Sequence, residues 1–270
     1  MSFILYYFVE LFKHLSQLVL NKVSSTKFAL KLVRKYDADI CHFQECGPLT
    51  SRANDTAIQK LLSADYAEAY PKMADKNYTP VFYKKDRFSE VDSGYVLFPG
   101  KNDADSKSVT WAVLEEIKTG ERIAVASTHF WWQCESEEDS LQRVENARCV
   151  KEVCDMIEEK YNLPVIVSGD LNCGINSEQG TAGYDEMVRL GMRDARKFAK
   201  ETTDCFTWHE YPEFNEEKEI FENGSMPVMT IDHVFVSGNL PIEILKFDVL
   251  TEQDALDSSD HCPLISDFNL

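Results

Sequence analysis

The stretch Val165-Ile-Val-Ser-Gly-Asp-Leu-Asn172 decides how the rest of the chain is read. A short apolar run bounded by Pro164 and Gly169 predicts a buried strand, and Asp170 and Asn172 stand where that strand would end. In open α/β sheets, ligands collect at the carboxyl ends of strands, where a rigid support presents polar groups. Gly, Asp and Asn are also ordinary turn residues. The stretch therefore takes its chemical meaning from what surrounds it.

Immediately before it lies the clearest helix, from about Asp139 to Tyr161. Leu141, Val144, Ala147, Val150, Cys154 and Ile157 recur at helical spacing, and acids lie at its start. Further upstream, Val109 to Ile117 and Arg122 to Thr128 predict a hairpin turning at Thr119-Gly120, whose second arm runs into Ser127-Thr-His129-Phe-Trp-Trp132. Short strands are expected at Val81 to Lys84 and Tyr95 to Phe98, and a helix from Asp55 to Ser63. A helix capped by Ser24 or Ser25 should run to about Tyr36, followed by a strand, Ala38 to Glu45, that ends on a carboxylate. Downstream, helices are expected near Glu178 to Leu190 and Arg193 to Lys200, then a long loop from Trp208 to Phe221. Strands Thr230 to Val236 and Ile242 to Val249 follow, then the loop Ser258-Ser-Asp260-His261 and a last strand after Pro263. Met1 to Leu20 is apolar but carries Glu10 and Lys13, too short and too charged for a firm membrane span. It lacks the marks of a signal peptide. It reads as a docked amphipathic or buried helix, with a membrane-surface anchor as the alternative.

The totals restrict the partners. The 270 residues are 44% hydrophobic and 27% charged, an ordinary globular composition. Without a Pro/Gly/Ser-rich linker or a repeat, the simplest organisation is an atypical hydrophobic segment over 1–22 and one domain over 23–270. A net charge of -18 argues against extended duplex DNA, because duplex binding draws much of its affinity from Lys and Arg on phosphates. A small phosphate ester in a local site is compatible with it. Eight scattered cysteines outline no zinc site, and several sit in apolar patterns as reduced thiols do, pointing to a reducing, cytoplasmic setting. Oligomeric state leaves no mark in the sequence.

Glu45, His129, Asp170, Asn172, Asp232, Asp260 and His261 all fall at or near predicted strand ends. The motifs Phe43-Gln-Glu45, Ser127-Thr-His129, Gly169-Asp-Leu-Asn172, Ile231-Asp-His233 and Ser259-Asp-His261-Cys-Pro-Leu264 resemble those of the endonuclease/exonuclease/phosphatase superfamily, and in the same order. The resemblance covers roughly Tyr36 to Leu270. It implies an α/β fold, a four-layer sandwich of two mixed β-sheets flanked by helices, with the site at one edge. It also implies a metal-dependent phosphoesterase using Mg²⁺, with Mn²⁺ as the alternative.

The roles it implies have a physical basis. A phosphodiester resists attack because it is anionic, so a site must neutralise charge and produce a nucleophile. Glu45 and Asp260 are oxygen ligands suited to Mg²⁺. His261 would be the general base on water, with Asp232 fixing its tautomer. Asp170 would orient the water, Asn172 would donate to a phosphate oxygen, and His129 would stabilise the phosphate or protonate the leaving group. Members usually begin with a strand ending in a metal-holding Asn, and here Asn21 is the candidate. Lys107 and Arg148 are candidate phosphate contacts, and Trp131 and Trp132 candidate stacking surfaces. Two further readings stand beside a phosphodiesterase or phosphatase: a nuclease on DNA or RNA, and a catalytically impaired binding protein on the same fold.

Overall fold

The computed structural model describes residues 2–8, 29–46, 58–73, 76–203, 205–209, 213–215, 220–222, 229–238, 241–256 and 258–270. In chain order the strands are β1 (Ser2–Phe8), β2 (Ile40–Phe43), β3 (Tyr66–Glu68), β4 (Val81–Lys84), β5 (Phe88–Leu97), β6 (Ser108–Glu116), β7 (Arg122–His129), β8 (Val165–Ile175), β9 (Arg193–Asp194), β10 (Glu201–Thr202), β11 (Glu213–Asn215), β12 (Ile220–Glu222), β13 (Thr230–Val236), β14 (Glu243–Val249) and β15 (Leu264–Asn269). A seven-stranded sheet has the order β10-β14-β15-β1-β2-β4-β3, and a six-stranded sheet the order β5-β6-β7-β8-β13-β9. Both are mixed: β1 with β2, β10 with β14, and β7 with β8 pair in parallel among otherwise antiparallel neighbours.

Side-chain alternation explains why the two sheets stack with helices outside. Ile123, Val125 and Ile166 face a core shared with Ile40, Val81 and Leu264 of the other sheet. Their neighbours Ala124, Ala126, Val165 and Val167 face the opposite way, onto Ala147, Val150 and Ile157 of the helix Glu137–Tyr161. On the other flank, Cys41, Phe43 and Phe82 pack with Leu32, Val33 and Leu62 of the helical residues 29–35 and the helix Ile58–Leu62. Strands buried on both faces read as continuous apolar runs rather than alternating ones. The result is the four-layer sandwich expected from the sequence.

The long helix starts two residues earlier than its periodicity predicts. Ser136 caps it through a capping box with Asp139, which satisfies N–H groups the first turn cannot pair internally. Other expectations need correction. Ser2–Phe8 is not helical: it is a strand hydrogen-bonded between β15 and β2, as its Phe, Ile and Tyr content favours. Asn21 and the proposed Ser24/Ser25 cap lie outside the described residues. The stretch read as a loop from Trp208 contains the antiparallel pair β11–β12, and Trp208 itself bridges to Met229 and His261. Among the described residues, no helix is long and apolar enough to cross a membrane.

Candidate active site

The face that each strand turns toward the other sheet changes character at one end. Along β2 and its extension it reads Ile40, His42, Gln44; along β7, Ile123, Val125, Ser127, His129; along β8, Ile166, Ser168, Asp170; along β13, Val236, Val234, Asp232. Period-two alternation keeps these residues on one side. The apolar core therefore grades into polar pairs that cross between the sheets. His42 Nδ1 meets Ser168 Oγ at 2.6 Å, and Gln44 Nε2 donates to Ser127 Oγ at 2.8 Å, all four residues being buried. Asn77, Thr79, Ser108 and Thr110 form a further buried network beside them.

Registry then assembles the site. Ser108 lies opposite His129, His129 opposite Asp170, and Asp170 opposite Asp232, one row across β6, β7, β8 and β13. Gly169 permits it, but not as the strand terminator suggested by the sequence, since β8 runs on to Ile175. A Cβ at Gly169 would stand 2.4 Å from both Cγ2 and the carbonyl oxygen of Thr128, so β7 and β8 approach closely there only because the side chain is absent. Beyond Asp170 the pairing with β13 shifts register, and Asn172 adopts φ 49° with its N–H on Asp170 Oδ1 at 2.7 Å. Glu45 also has a left-handed backbone, φ 55°, an unfavourable conformation for a long side chain.

His261 joins from the loop before β15. Its Nδ1 lies 2.9 Å from Asp232 Oδ2, with both side chains buried. Burial opposes a charged imidazole, but the Asp232 carboxylate, with Asp260 and Asp170 behind it, overrides that and raises His261 to about 9. Ligand atoms of Asp170, Asp232 and His261 lie within 4.8 Å of one another, a buried group able to hold a metal ion. Thr207, which carries no sequence signal, clamps the arrangement. Its hydroxyl accepts the N–H groups of Ile231 and Asp232 at 3.0 Å each, its carbonyl accepts from Cys262, and His209 N donates to Asp260 O.

His129 is buried beside this group. Its Nε2 stands 3.0 Å from Asn172 Nδ2, 3.1 Å from Lys107 Nζ, 3.5 Å from Asp170 Oδ2 and 3.7 Å from Glu45 Oε1. Of the sequence candidates, the fold thus brings Glu45, Lys107, His129, Asp170, Asn172, Asp232, Asp260 and His261 together. Two it does not. Trp131 is buried, and its indole N–H donates to Asp139 at the start of the long helix. Arg148 pairs with Glu145 of the same helix and with Glu186 of the helix Ala182–Arg189 packed against it. Trp132 is 39% exposed, with its N–H on Asp103 at 3.0 Å.

A structure from Bacteroides vulgatus, described as an endonuclease/exonuclease/phosphatase, superimposes with a TM-score of 0.74 over 100% of this chain and 99% of its own, at 20% identity. The chain has the endonuclease/exonuclease/phosphatase fold. The same fold appears in the mannosyl-6-phosphatase Bt3783 of Bacteroides thetaiotaomicron, with TM-score 0.73, 19% identity and coverage of 99% and 100%. It also appears in D. rerio TDP2 complexed with single-stranded DNA product, with TM-score 0.69, 16% identity and coverage of 100% and 99%. No protein-family model matches the sequence, and no curated protein does. On this fold, the row from His129 to Asp232 falls at one end of the paired sheets, where both contribute side chains.

Proposed function

We propose that the chain is a Mg²⁺-dependent hydrolase of small phosphate esters, a phosphodiesterase or phosphatase. The observation that carries this reading is the buried His261–Asp232 pair, 2.9 Å apart and adjoining Asp170 and Asp260. Such a concentration of hard oxygen donors suits Mg²⁺ better than a softer ion. Glu45 and Asp260 would hold it, and Asn21 remains the candidate third donor. The chemistry such an ion would supply is neutralisation of charge on a phosphoryl oxygen. The carboxylates that raise His261 are the charges a bound cation would offset, and in its neutral form His261 would take the proton of an attacking water at Nε2, Asp232 accepting at Nδ1 and fixing that tautomer. Asp170 orients the water. The net charge of -18 favours a small ester over a polyanionic duplex. The cytoplasmic setting remains an expectation from the cysteines.

Hydrolysis of a chromogenic phosphodiester and the matching monoester tests the reading, with Mg²⁺ and with chelator, in wild type and His261→Ala. Chelator-sensitive turnover that falls by roughly 10²–10⁴-fold in His261→Ala is expected. Wild-type rates in that variant would remove the base assignment.

A further inference from the structure

The loop 98–107 and the chain from His129 to Trp132 are joined at three points. Lys107 Nζ lies 3.1 and 3.4 Å from the two ring nitrogens of His129, over the ring face. Phe98 meets Phe130 edge to face, with ring centroids 5.9 Å apart. Trp132 Nε1 donates to Asp103 Oδ2 at 3.0 Å. The two segments therefore form one wall, with the Lys107–His129 contact in the site and Trp132 at the outer end. Each residue of 130–133 is fixed. Phe130 N donates to Asp170 O at 2.9 Å, Trp131 N to Asn146 Oδ1 at 3.0 Å, and the buried Arg143 guanidinium to Gln133 O.

Asp103 is held as firmly. Ala104 and Asp105 both have left-handed backbones, φ 51° and 57°, and the turn they make is closed by Ser106 N donating to Asp103 O at 3.0 Å. Such a turn ordinarily has Asn-Gly at its centre, so Ala and Asp adopt it against their preference. It aims both carboxylate oxygens of Asp103, Oδ1 accepting from Ser106 Oγ at 3.1 Å and Oδ2 from the indole. The turn stands at the mouth of the site. Tyr78, whose carbonyl accepts from Cys46 N at 3.2 Å beside Glu45, has its phenol pushed up by burial and by the charges of Glu45, Asp103 and Asp105 together. Trp132 nevertheless stays 39% exposed. Its one polar atom has a partner, so the exposed area offers a ligand a rigid aromatic surface.

We propose that Trp132 is a specificity-determining residue of this site, the face on which the alcohol part of the ester lies, and that Asp103 is the positioning residue that holds it. This rests on the phosphoesterase reading and deepens it to a substrate class: phosphate esters of cyclic, hydroxylated alcohols, that is, sugar phosphates. An indole stacks on the C–H face of a sugar or on a nucleobase. The neighbouring groups decide between them. Asp103 and Asp105 are exposed carboxylates that accept hydroxyl hydrogens, which a sugar supplies, whereas they repel the further phosphates of a nucleic-acid strand.

The probes are glucose 6-phosphate, glycerol phosphate and adenosine monophosphate, all with Mg²⁺, on wild type, Trp132→Ala, Asp103→Asn and Asp103→Leu. Two quantities are read: kcat/KM, and the rise in melting temperature that each ester causes. Wild type should prefer glucose 6-phosphate to the other two. In Trp132→Ala the ratio of kcat/KM for glucose 6-phosphate to that for glycerol phosphate should fall about 10–100-fold, the size of one lost stacking contact, with the change in KM. Asp103→Asn, whose amide oxygen still accepts from the indole, should keep most of that ratio, and Asp103→Leu should lose it. An unchanged ratio in Trp132→Ala would overturn the proposal, as would a wild type indifferent to the alcohol. A preference for adenosine monophosphate that Trp132→Ala abolishes would overturn the sugar assignment. The melting readout separates this proposal from the hydrolase reading. A wild type that cleaves none of the esters, yet is stabilised by glucose 6-phosphate only while Trp132 is present, upholds the ring contact and refutes hydrolysis. Cleavage with an unchanged ratio refutes the ring contact and keeps hydrolysis, and neither cleavage nor stabilisation overturns both. If Trp132→Ala fails to fold, the comparison of Asp103→Asn with Asp103→Leu decides.

Discussion

His42 should make the fold acid-labile by a calculable amount. It sits fully buried between the sheets with Nδ1 on Ser168 Oγ at 2.6 Å, and burial lowers its pKa from 6.5 to about 3. The folded protein therefore holds His42 neutral where the unfolded chain takes up a proton. The stability this contributes is fully present above 6.5 and is lost progressively as the pH falls toward 3. At pH 5 the unfolded state gains about 2 kcal/mol from that proton relative to pH 7.5, while the folded state gains almost nothing. His42→Gln keeps a polar side chain able to bond Ser168 and removes the titration. Urea unfolding at pH 7.5 and 5, followed by far-ultraviolet circular dichroism, compares the two proteins. All other titrating groups are common to both. Wild type should lose about 2 kcal/mol more than His42→Gln between the two pH values. With a slope of about 2–3 kcal/mol/M, that is a midpoint difference of roughly 0.7–1 M. Equal losses would refute the buried, neutral state of His42. A larger loss in the variant would reverse its sign.

Two further variants test how the site is built. Gly169→Ala forces a methyl group against the Thr128 backbone, and should cost about 1–3 kcal/mol as overpacking does, read as a lower melting temperature together with reduced turnover. Unchanged melting would mean that β7 and β8 can separate at that point. Thr207→Val removes the acceptor for two buried N–H groups at Ile231 and Asp232, and should cost about 1–3 kcal/mol while lowering kcat more than it raises KM. Activity equal to wild type would show that Asp232 needs no such support.

Much of this molecule was legible before folding because burial writes itself into periodicity. Val81–Lys84 and Thr230–Val236 have the predicted bounds, since β-branched and aromatic runs between breakers have few alternatives. Ser2–Phe8 was misread because a continuous apolar run looks alike in a central strand and a buried helix, and only its partners β15 and β2 distinguish them. Gly169 was misread for a related reason. Its conformation is ordinary, and what requires glycine is a neighbour forty-one residues away in sequence, Thr128.

The sequence by itself determined which chemistry was available: carboxylates, amides and imidazoles recurring where apolar runs stop, in an order matching a known set of motifs. Tertiary structure decided which of them meet. Strand register placed Ser108, His129, Asp170 and Asp232 in one row, and Thr207 drew the 260–262 loop onto its end. Trp131 and Arg148, equally plausible by composition, were spent on Asp139 and on Glu145 and Glu186 instead. Only tertiary geometry could settle that Asn172 sets its amide nitrogen against Phe130 O and His129, on elements remote in sequence.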